Sequence, residues 1–229
     1  MVKISDRLKT AASLIREGAV LADVGTDHGY VPIYLLEQKK IKSAIAMDIN
    51  KGPLERAREH IHLYGMDAYI QTRLSDGVAA LEKGEADSIL VAGMGGGLVM
   101  HILEEGKDIC QAAGELILQP QSELCSVREY LAENGYVTEA ERMVFEDGKY
   151  YPMMRVHYQA EKNEDADKTI KDMEKNPVLH QYLVKERQVF ENILDNLFKQ
   201  PESEKIAVRM EEVKEALGYN EAALAYYRT

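Results

Sequence analysis

The sequence predicts an α/β fold: a doubly wound parallel sheet that ends in an antiparallel β-hairpin, followed by a small α-helical, coiled-coil-like domain. Three observations predict it. Short apolar runs at residues 19–22, 43–47 and 88–92 are bounded by turn residues and alternate with helical patterns, as buried parallel strands do. Two of them close on a carboxylate, Asp23 and Asp48, and two run into glycine-containing turns. Residues 136–146 and 149–158 then read as strands around Asp147-Gly148, a strong hairpin signal.

The 229 residues suffice for one α/β domain, expected at 1–159, and a helical appendage at 160–229. No stretch approaches the roughly 18 consecutive apolar residues of a membrane span. Lys3, Asp6, Arg7 and Lys9 occupy positions where a secretory leader would be apolar, so the expected location is cytoplasmic. The only cysteines, Cys110 and Cys125, form no C-x-x-C pair, which argues against a disulfide framework and a metal site; both are expected as buried thiols. A net charge of -11 excludes a uniformly basic surface. A nucleic-acid partner would need one local basic face, with candidates Lys3, Arg7, Lys9 and Arg16, then Lys39, Lys40 and Lys42, then Arg56, Arg58 and Arg73. For any one of these residues, solvated surface is the favoured reading.

In chain order, Ile4, Leu8, Ala11, Ala12 and Ile15 recur at helical spacing behind Ser5 as N-cap, with Gly18 as the stop. The first strand follows, then a helix over 31–38 that tolerates Pro32 in its first turn. The second strand ends at Asp48, and a helix over 53–63 carries Leu54, Ala57 and Ile61 on one face. A third strand at 69–73 leads to Ser75-Asp76-Gly77. The fourth runs into Gly93-Met94-Gly95-Gly96-Gly97, expected as a loop because ordering so many glycines is entropically costly. A helix over 98–111, a fifth strand at 115–119, and a helix from a Ser122 cap through Asn134 complete the sheet domain. In the C-terminal segment, residues 178–199 and 202–217 show a/d-like apolar spacing interrupted at Gln200-Pro201, which predicts an antiparallel helical hairpin with a short last helix after Gly218.

Certain of these residues point to chemistry. Asp23, at a strand end beside Gly25 and Gly29, is suited to an ammonium group, and the glycines allow backbone to approach a ligand. The G-x-x-x-G spacing lacks the G-x-G-x-x-G of a dinucleotide fingerprint, so the pattern favours S-adenosylmethionine over NAD. Asp48 lies 23 residues beyond Gly25, about where a doubly wound sheet holds the acid that accepts from both ribose hydroxyls. Asp76 could accept from an adenine's exocyclic amine, although Asp-Gly is equally good turn chemistry. Gly93 to Gly97 should emerge beside Asp23, where the methyl acceptor enters.

Taken together, Leu21-Ala-Asp-Val-Gly-Thr-Asp-His-Gly-Tyr30, Val91-Ala-Gly-Met-Gly-Gly96, Leu116-Ile-Leu-Gln-Pro-Gln121 and Glu146-Asp-Gly-Lys-Tyr150 resemble the bacterial TrmK family of tRNA (adenine-22 N1)-methyltransferases. The resemblance spans about residues 1–158; beyond that it is one of shape. It implies a class I methyltransferase (Rossmann-like) sheet, S-adenosyl-L-methionine as cofactor, no metal, and tRNA as partner, with a monomer favoured. The expected cofactor-binding residues are Asp23, Gly25, Thr26, Gly29, Asp48, Ile49, Ser75, Asp76, Gly77 and Gly93. Expected substrate contacts are Met94, Gly95, Arg7 and Lys9, the last two as phosphate ligands. Asp27 stands where the usual motif has its middle glycine and puts a carboxylate near the sulfonium; it is the first candidate to stabilise the positive charge that develops on an alkylated adenine. His28, the second candidate, could orient base or cofactor or simply bond at the helix start. The helical hairpin is expected to reach along the tRNA body.

Three other readings remain open on the residues alone: another S-adenosylmethionine-dependent RNA methyltransferase, an NAD-dependent oxidoreductase, and a non-catalytic binding module. Asp23 and the missing dinucleotide fingerprint weigh against the second. The joint presence of Asp23, Asp48 and the Gly93 segment weighs against the third.

Overall fold

The computed structural model describes residues 2–160, 177–201 and 203–226. The chain divides into two compact units, Met1–Met173 and Glu174–Thr229. The expected boundary at residue 160 adjoins residues 161–176, which lie outside the described residues.

The first unit contains α1 (Asp6–Leu14), β1 (Ala19–Val24), α2 (Tyr30–Glu37), β2 (Ile41–Asp48), α3 (Lys51–Leu63), β3 (Ile70–Leu74), β4 (Ser88–Met94), α4 (Gly96–Glu105), α5 (Lys107–Ala112), β5 (Glu115–Pro120), α6 (Leu124–Glu133), β6 (Tyr136–Glu146) and β7 (Lys149–Tyr158). Its seven strands lie in the order β3-β2-β1-β4-β5-β7-β6. The first five are parallel, and β7 runs antiparallel to both of its neighbours, β5 and β6. The chain reverses direction across the sheet between β1 and β4, so their C-terminal ends form the switch point where α/β sheets bind ligands.

Strand alternation divides the core between two faces. Leu21, Leu90 and Ile117 pack with Ala11, Ile33, Leu35 and Ala57 of α1, α2 and α3. Ala22, Ile89 and Leu116 face Val99, Ile102, Cys110 and Val127 of α4, α5 and α6. Near the N-terminal ends of β4 and β5, the buried carboxylate of Glu115 accepts from the Arg16 backbone N–H at 2.7 Å and the Ser88 hydroxyl, and pairs with Arg16 Nε at 3.1 Å. Glu139 joins Arg16, Arg155 and His157 to the same cluster. Arg16, a candidate RNA cation by sequence, is thus paired with Glu115 and Glu139.

Local expectations are met at several ends and corrected at others. Ser5 caps α1 through a hydrogen bond from the Leu8 N–H, but the helix stops at Leu14 because Ile15 turns extended to bury its side chain. Asp147 and Gly148 are both left-handed, as a two-residue hairpin turn of type I′ requires. The expected glycine loop after Ala92 is instead strand through Met94 and helix from Gly96. The helix expected over 98–111 breaks at Gly106, where a Cβ would lie 2.1 Å from Val78 Cγ2. Ser122 does not cap α6; Glu123, left-handed, precedes it. Cys125 is exposed and not a buried thiol: it lies about 200° around α6 from the buried Val127. Cys110 is buried, which pushes its thiol up to about 12.

The second unit pairs α7 (Pro177–Phe198) with α8 (Glu204–Tyr226). No break occurs at Gly218. One glycine costs an exposed helix only about 1 kcal/mol, and Val213, Asn220 and Leu224 on both sides of it are buried. Asn220 donates to the Leu183 carbonyl at 3.0 Å and to Glu186 at 2.9 Å, a polar pair in the seam that specifies its register. Among the described residues no helix is long and apolar enough to cross a membrane, and no cluster of three metal-ligating side chains occurs.

Candidate cofactor and acceptor site

The site grows from the pairing of β1 with β2 and β4. Asp23 lies opposite Ala46 on one side and Leu90 on the other, so it sits at the centre of the sheet's C-terminal edge. The chain then turns through left-handed Gly25 (φ +72°), whose N–H and that of Thr26 both donate to the Met47 carbonyl at 2.8 Å. This ties the turn to β2 just before Asp48. A Cβ on Gly25 would lie 2.4 Å from Met94 Cε, so the side chain ending β4 rests on the turn that follows β1. A left-handed backbone and a near neighbour together make glycine the fitting residue.

Asp23 is 5% exposed and accepts from the Thr26 hydroxyl at 2.6 Å. Burial pushes its carboxyl up to about 6, the Thr26 bond opposes this, and the charge of Asp48 adds to it. A cation or donor seated here would relieve both effects. Asp48 is half-buried and accepts from the Asn50 N–H at 2.8 Å. The neighbouring Ile49 is 58% exposed, an apolar surface beside a carboxylate. Beyond β3, Ser75 is committed to its own turn: its hydroxyl donates to the Gly77 carbonyl at 2.9 Å and accepts from the Ala80 N–H at 3.0 Å. That leaves Asp76, which is exposed, as the polar group of this turn that faces outward.

Asp27 is left-handed (φ +50°) and 59% exposed, and Arg56 Nη2 donates to its Oδ1 at 2.9 Å. Its negative charge is therefore partly matched by α3, and Arg56, expected as a candidate RNA cation, is occupied here. His28 Nε2 lies 3.3 Å from the other oxygen of Asp27. The His28 ring stacks on Tyr30 at 5.4 Å. His60 approaches the His28 carbonyl through Nδ1 at 3.0 Å, which assigns the proton to Nδ1 and leaves Nε2 to accept from the Tyr30 hydroxyl. Gly29, also left-handed, N-caps α2 within this cluster.

On the β4 side, Gly93 N–H and Arg7 Nη1 both donate to Gln119 Oε1, at 3.0 and 2.7 Å. Gln119 is fully buried, and the Arg7 guanidinium lies 5.4 Å over the Tyr151 ring. Arg7, expected as a phosphate ligand, is thus held by Gln119 and over Tyr151 beside the end of β4. Lys9 points elsewhere: it is exposed and paired with Asp6 at 2.8 Å. Gly96 and Gly97 serve packing. Ser122 Oγ accepts from the Gly96 N–H and Glu123 from the Gly97 N–H, and a Cβ on Gly96 would lie 2.5 Å from the Ser122 carbonyl. Met94 faces the turn after β1 and Gly93 lies beside Arg7, whereas Gly96 and Gly97 receive the start of α6. Sequence reasoning gave no role to Gln119 or Tyr151 and did not place Arg56 against Asp27; the signal available for Gln119 was only its place in Gln119-Pro-Gln121.

A family profile described as "Methyltransferase domain" matches residues 4–154. The tRNA (adenine(22)-N(1))-methyltransferase of Bacillus subtilis (strain 168) is 42% identical over 153 residues, covering 67% of this chain and 64% of that protein. The alignment thus spans a little under two thirds of that relative's length. The crystal structure of the B. subtilis M1A22 tRNA methyltransferase TrmK superposes with a TM-score of 0.85 at 31% identity, covering 98% of this chain and all of that one. A putative tRNA (m1A22) methyltransferase of Streptococcus pneumoniae, solved with S-adenosyl-L-methionine, gives 0.76 at 34% identity over 94% of this chain and all of that one. On its match to the domain profile and to full-length structures at these identities, the chain belongs to the methyltransferase-domain family, as one of its TrmK-type members.

Proposed function

We propose that this chain is an S-adenosylmethionine-dependent methyltransferase that methylates N1 of adenine at position 22 of tRNA. The observation that carries the reading is the pair of carboxylates Asp23 and Asp48 at adjacent parallel strand ends, around a left-handed glycine turn against which Met94 rests. The residues fit the cofactor. Buried Asp23 has no cationic partner among the described residues and suits the ammonium. Asp48 suits the two ribose hydroxyls, Ile49 the face of a purine, and Asp76 an exocyclic amine. Gly25, Thr26, Gly29, Ser75, Gly77 and Gly93 shape the surrounding backbone.

When bound, S-adenosylmethionine supplies an electrophilic methyl carbon. Adenine N1 attacks with a lone pair and needs no prior deprotonation, so the chain's task is alignment and not general base catalysis. Met94 and Gly95 line the acceptor side, and Arg7, held over the Tyr151 ring, forms its far wall. Asp27 supplies negative charge where the alkylated ring becomes positive, with Arg56 fixing its orientation. His28 orients the acceptor from the same turn. Lys9 can contribute only a screened contact to phosphate, since Asp6 offsets it.

On this reading residues 1–159 carry the cofactor and residues 160–229 extend along the tRNA body, in a cytoplasmic, monomeric protein. Labelled cofactor and unmodified tRNA should give 1-methyladenosine on nucleoside analysis, and a tRNA with guanine at position 22 should give none. Label in any other nucleoside would overturn the assignment.

A further inference from the structure

We propose that the outer end of the β6–β7 hairpin is a stacking platform for an unpaired nucleobase of the RNA substrate, built on Phe145 and Tyr150. The inference rests on the tRNA methyltransferase reading above and adds a second contact to it. The two strands pair from Tyr136↔Tyr158 to Glu146↔Lys149, whereas β5 pairs with β7 only from Leu116↔Val156 to Leu118↔Met154. In that register Pro120, the last residue of β5, stands level with Pro152. Tyr151, Tyr150 and Lys149 therefore carry β7 roughly 10 Å past the edge of the sheet. This is the edge on which Asp23 and Gly93 end, so the hairpin rises beside the acceptor side of the site.

The projection is held in place. Glu146 accepts from the Asp6 N–H at 2.7 Å, which fastens the hairpin end to the first turn of α1. Tyr151 lies beneath the Arg7 guanidinium. Alternation then turns Phe145 and Tyr150 to the opposite face, the one that Met154 and Val156 share with α4 and α6. There the two rings meet at a centroid distance of 4.7 Å and an angle of 45°. Phe145 remains 48% exposed. A cross-strand aromatic pair stabilises a hairpin, but that role does not require a phenylalanine half open to water on an end already fastened to α1.

The ligand follows from the charge balance. A chain of net charge -11 gains little from a general attraction to phosphate, and Arg16, Arg56 and Lys9 are paired with carboxylates. Base stacking on an aromatic face needs no net positive charge and tolerates any base. Single-stranded or splayed bases are the ones exposed for it. Lys149 at the same turn is exposed and offers a cation to the adjoining phosphate.

The test uses the full-length protein with Phe145→Leu, which keeps an apolar cross-strand contact but removes the π face, and Phe145→Trp, which keeps the face. Phe145→Leu should raise KM for tRNA about tenfold, with kcat, cofactor affinity and Tm near wild type, and Phe145→Trp should restore KM. A tRNA carrying 2-aminopurine in an unpaired position next to the target should be quenched on binding to wild type and to Phe145→Trp, and not to Phe145→Leu. If Phe145→Leu melts normally and keeps both KM and quenching, the platform is wrong. Wild type that binds and quenches this RNA yet forms no 1-methyladenosine would support the platform and overturn the methyltransferase reading instead.

Discussion

Arg7 and Gln119, 112 positions apart in the chain, meet in a 2.7 Å hydrogen bond whose acceptor oxygen also receives the Gly93 N–H. One buried amide thereby links the first helix, the end of β4 and the end of β5. Gln119→Ala would leave a backbone donor and a guanidinium without their shared acceptor, at a stability cost of about 1–3 kcal/mol. The expected outcome is a kcat at least about tenfold lower, because in-line alignment is sensitive to small displacements, with cofactor affinity within about twofold by calorimetry. Arg7→Lys should not restore the wild-type rate when compared with Arg7→Ala, since a shorter-reaching ammonium does not reproduce both the Gln119 bond and the position over the Tyr151 ring.

Asp48→Ala should weaken S-adenosylmethionine binding by about 2–3 kcal/mol, because it removes one charged acceptor from two hydroxyls. The fold should survive, since among the described residues the Asp48 side chain makes one local bond, accepting from the Asn50 N–H. Unchanged affinity by calorimetry would remove Asp48 from the ribose.

The raised carboxyl of Asp23 makes stability of the ligand-free protein depend on pH in a defined direction. Its folded value of about 6 exceeds the ordinary 3.8, so between these values the folded state holds a proton that the unfolded state releases. Stability therefore falls as pH rises from about 4 to about 6, by on the order of 3 kcal/mol from this group. Asp23→Asn should abolish that component in thermal melts and melt above wild type at pH 7. Cofactor binding should show the opposite trend in wild type, strengthening as pH rises through about 6, because the ionised carboxylate pairs with the ammonium. A cofactor affinity that does not change between pH 5 and pH 7 would remove Asp23 from that role.

Gly95 and Gly96 should respond differently to alanine. At Gly96 the added Cβ would meet the Ser122 carbonyl at 2.5 Å, and backbone must move; at Gly95 the nearest atom is Ser122 Oγ at 3.3 Å. Gly96→Ala should lose about 1–3 kcal/mol in urea unfolding, the cost of overpacking, and Gly95→Ala clearly less. Equal losses would show that α4 and the Ser122 segment do not pack as described.

Much of this protein was legible in the chain because its signals are local. Strands buried on both faces announce themselves as short apolar runs, and β1, β2 and β4 were identified that way to within two residues. Asp147-Gly148 specifies its hairpin because two consecutive left-handed residues are needed and those two types tolerate the conformation. The positions of Asp23 and Asp48 at strand ends follow from the same periodicity, and strand order alone then brings them to one edge.

What only the tertiary structure decided is how side chains far apart in sequence share partners. Asp27 reads as a free carboxylate until α3 brings Arg56 within 2.9 Å of it. Arg7 in α1 and Arg16 just beyond its end are the same residue type, yet one faces Gln119 and Tyr151 and the other the buried Glu115. The glycine run after Ala92 looks like a loop because glycine is a poor helix former. Helix begins within it because Ser122 and Glu123, returning from β5, accept the N–H groups of Gly96 and Gly97 and leave no room for a side chain. Periodicity records which face of an element is buried; which partner waits there depends on where the sheet delivers the other strands.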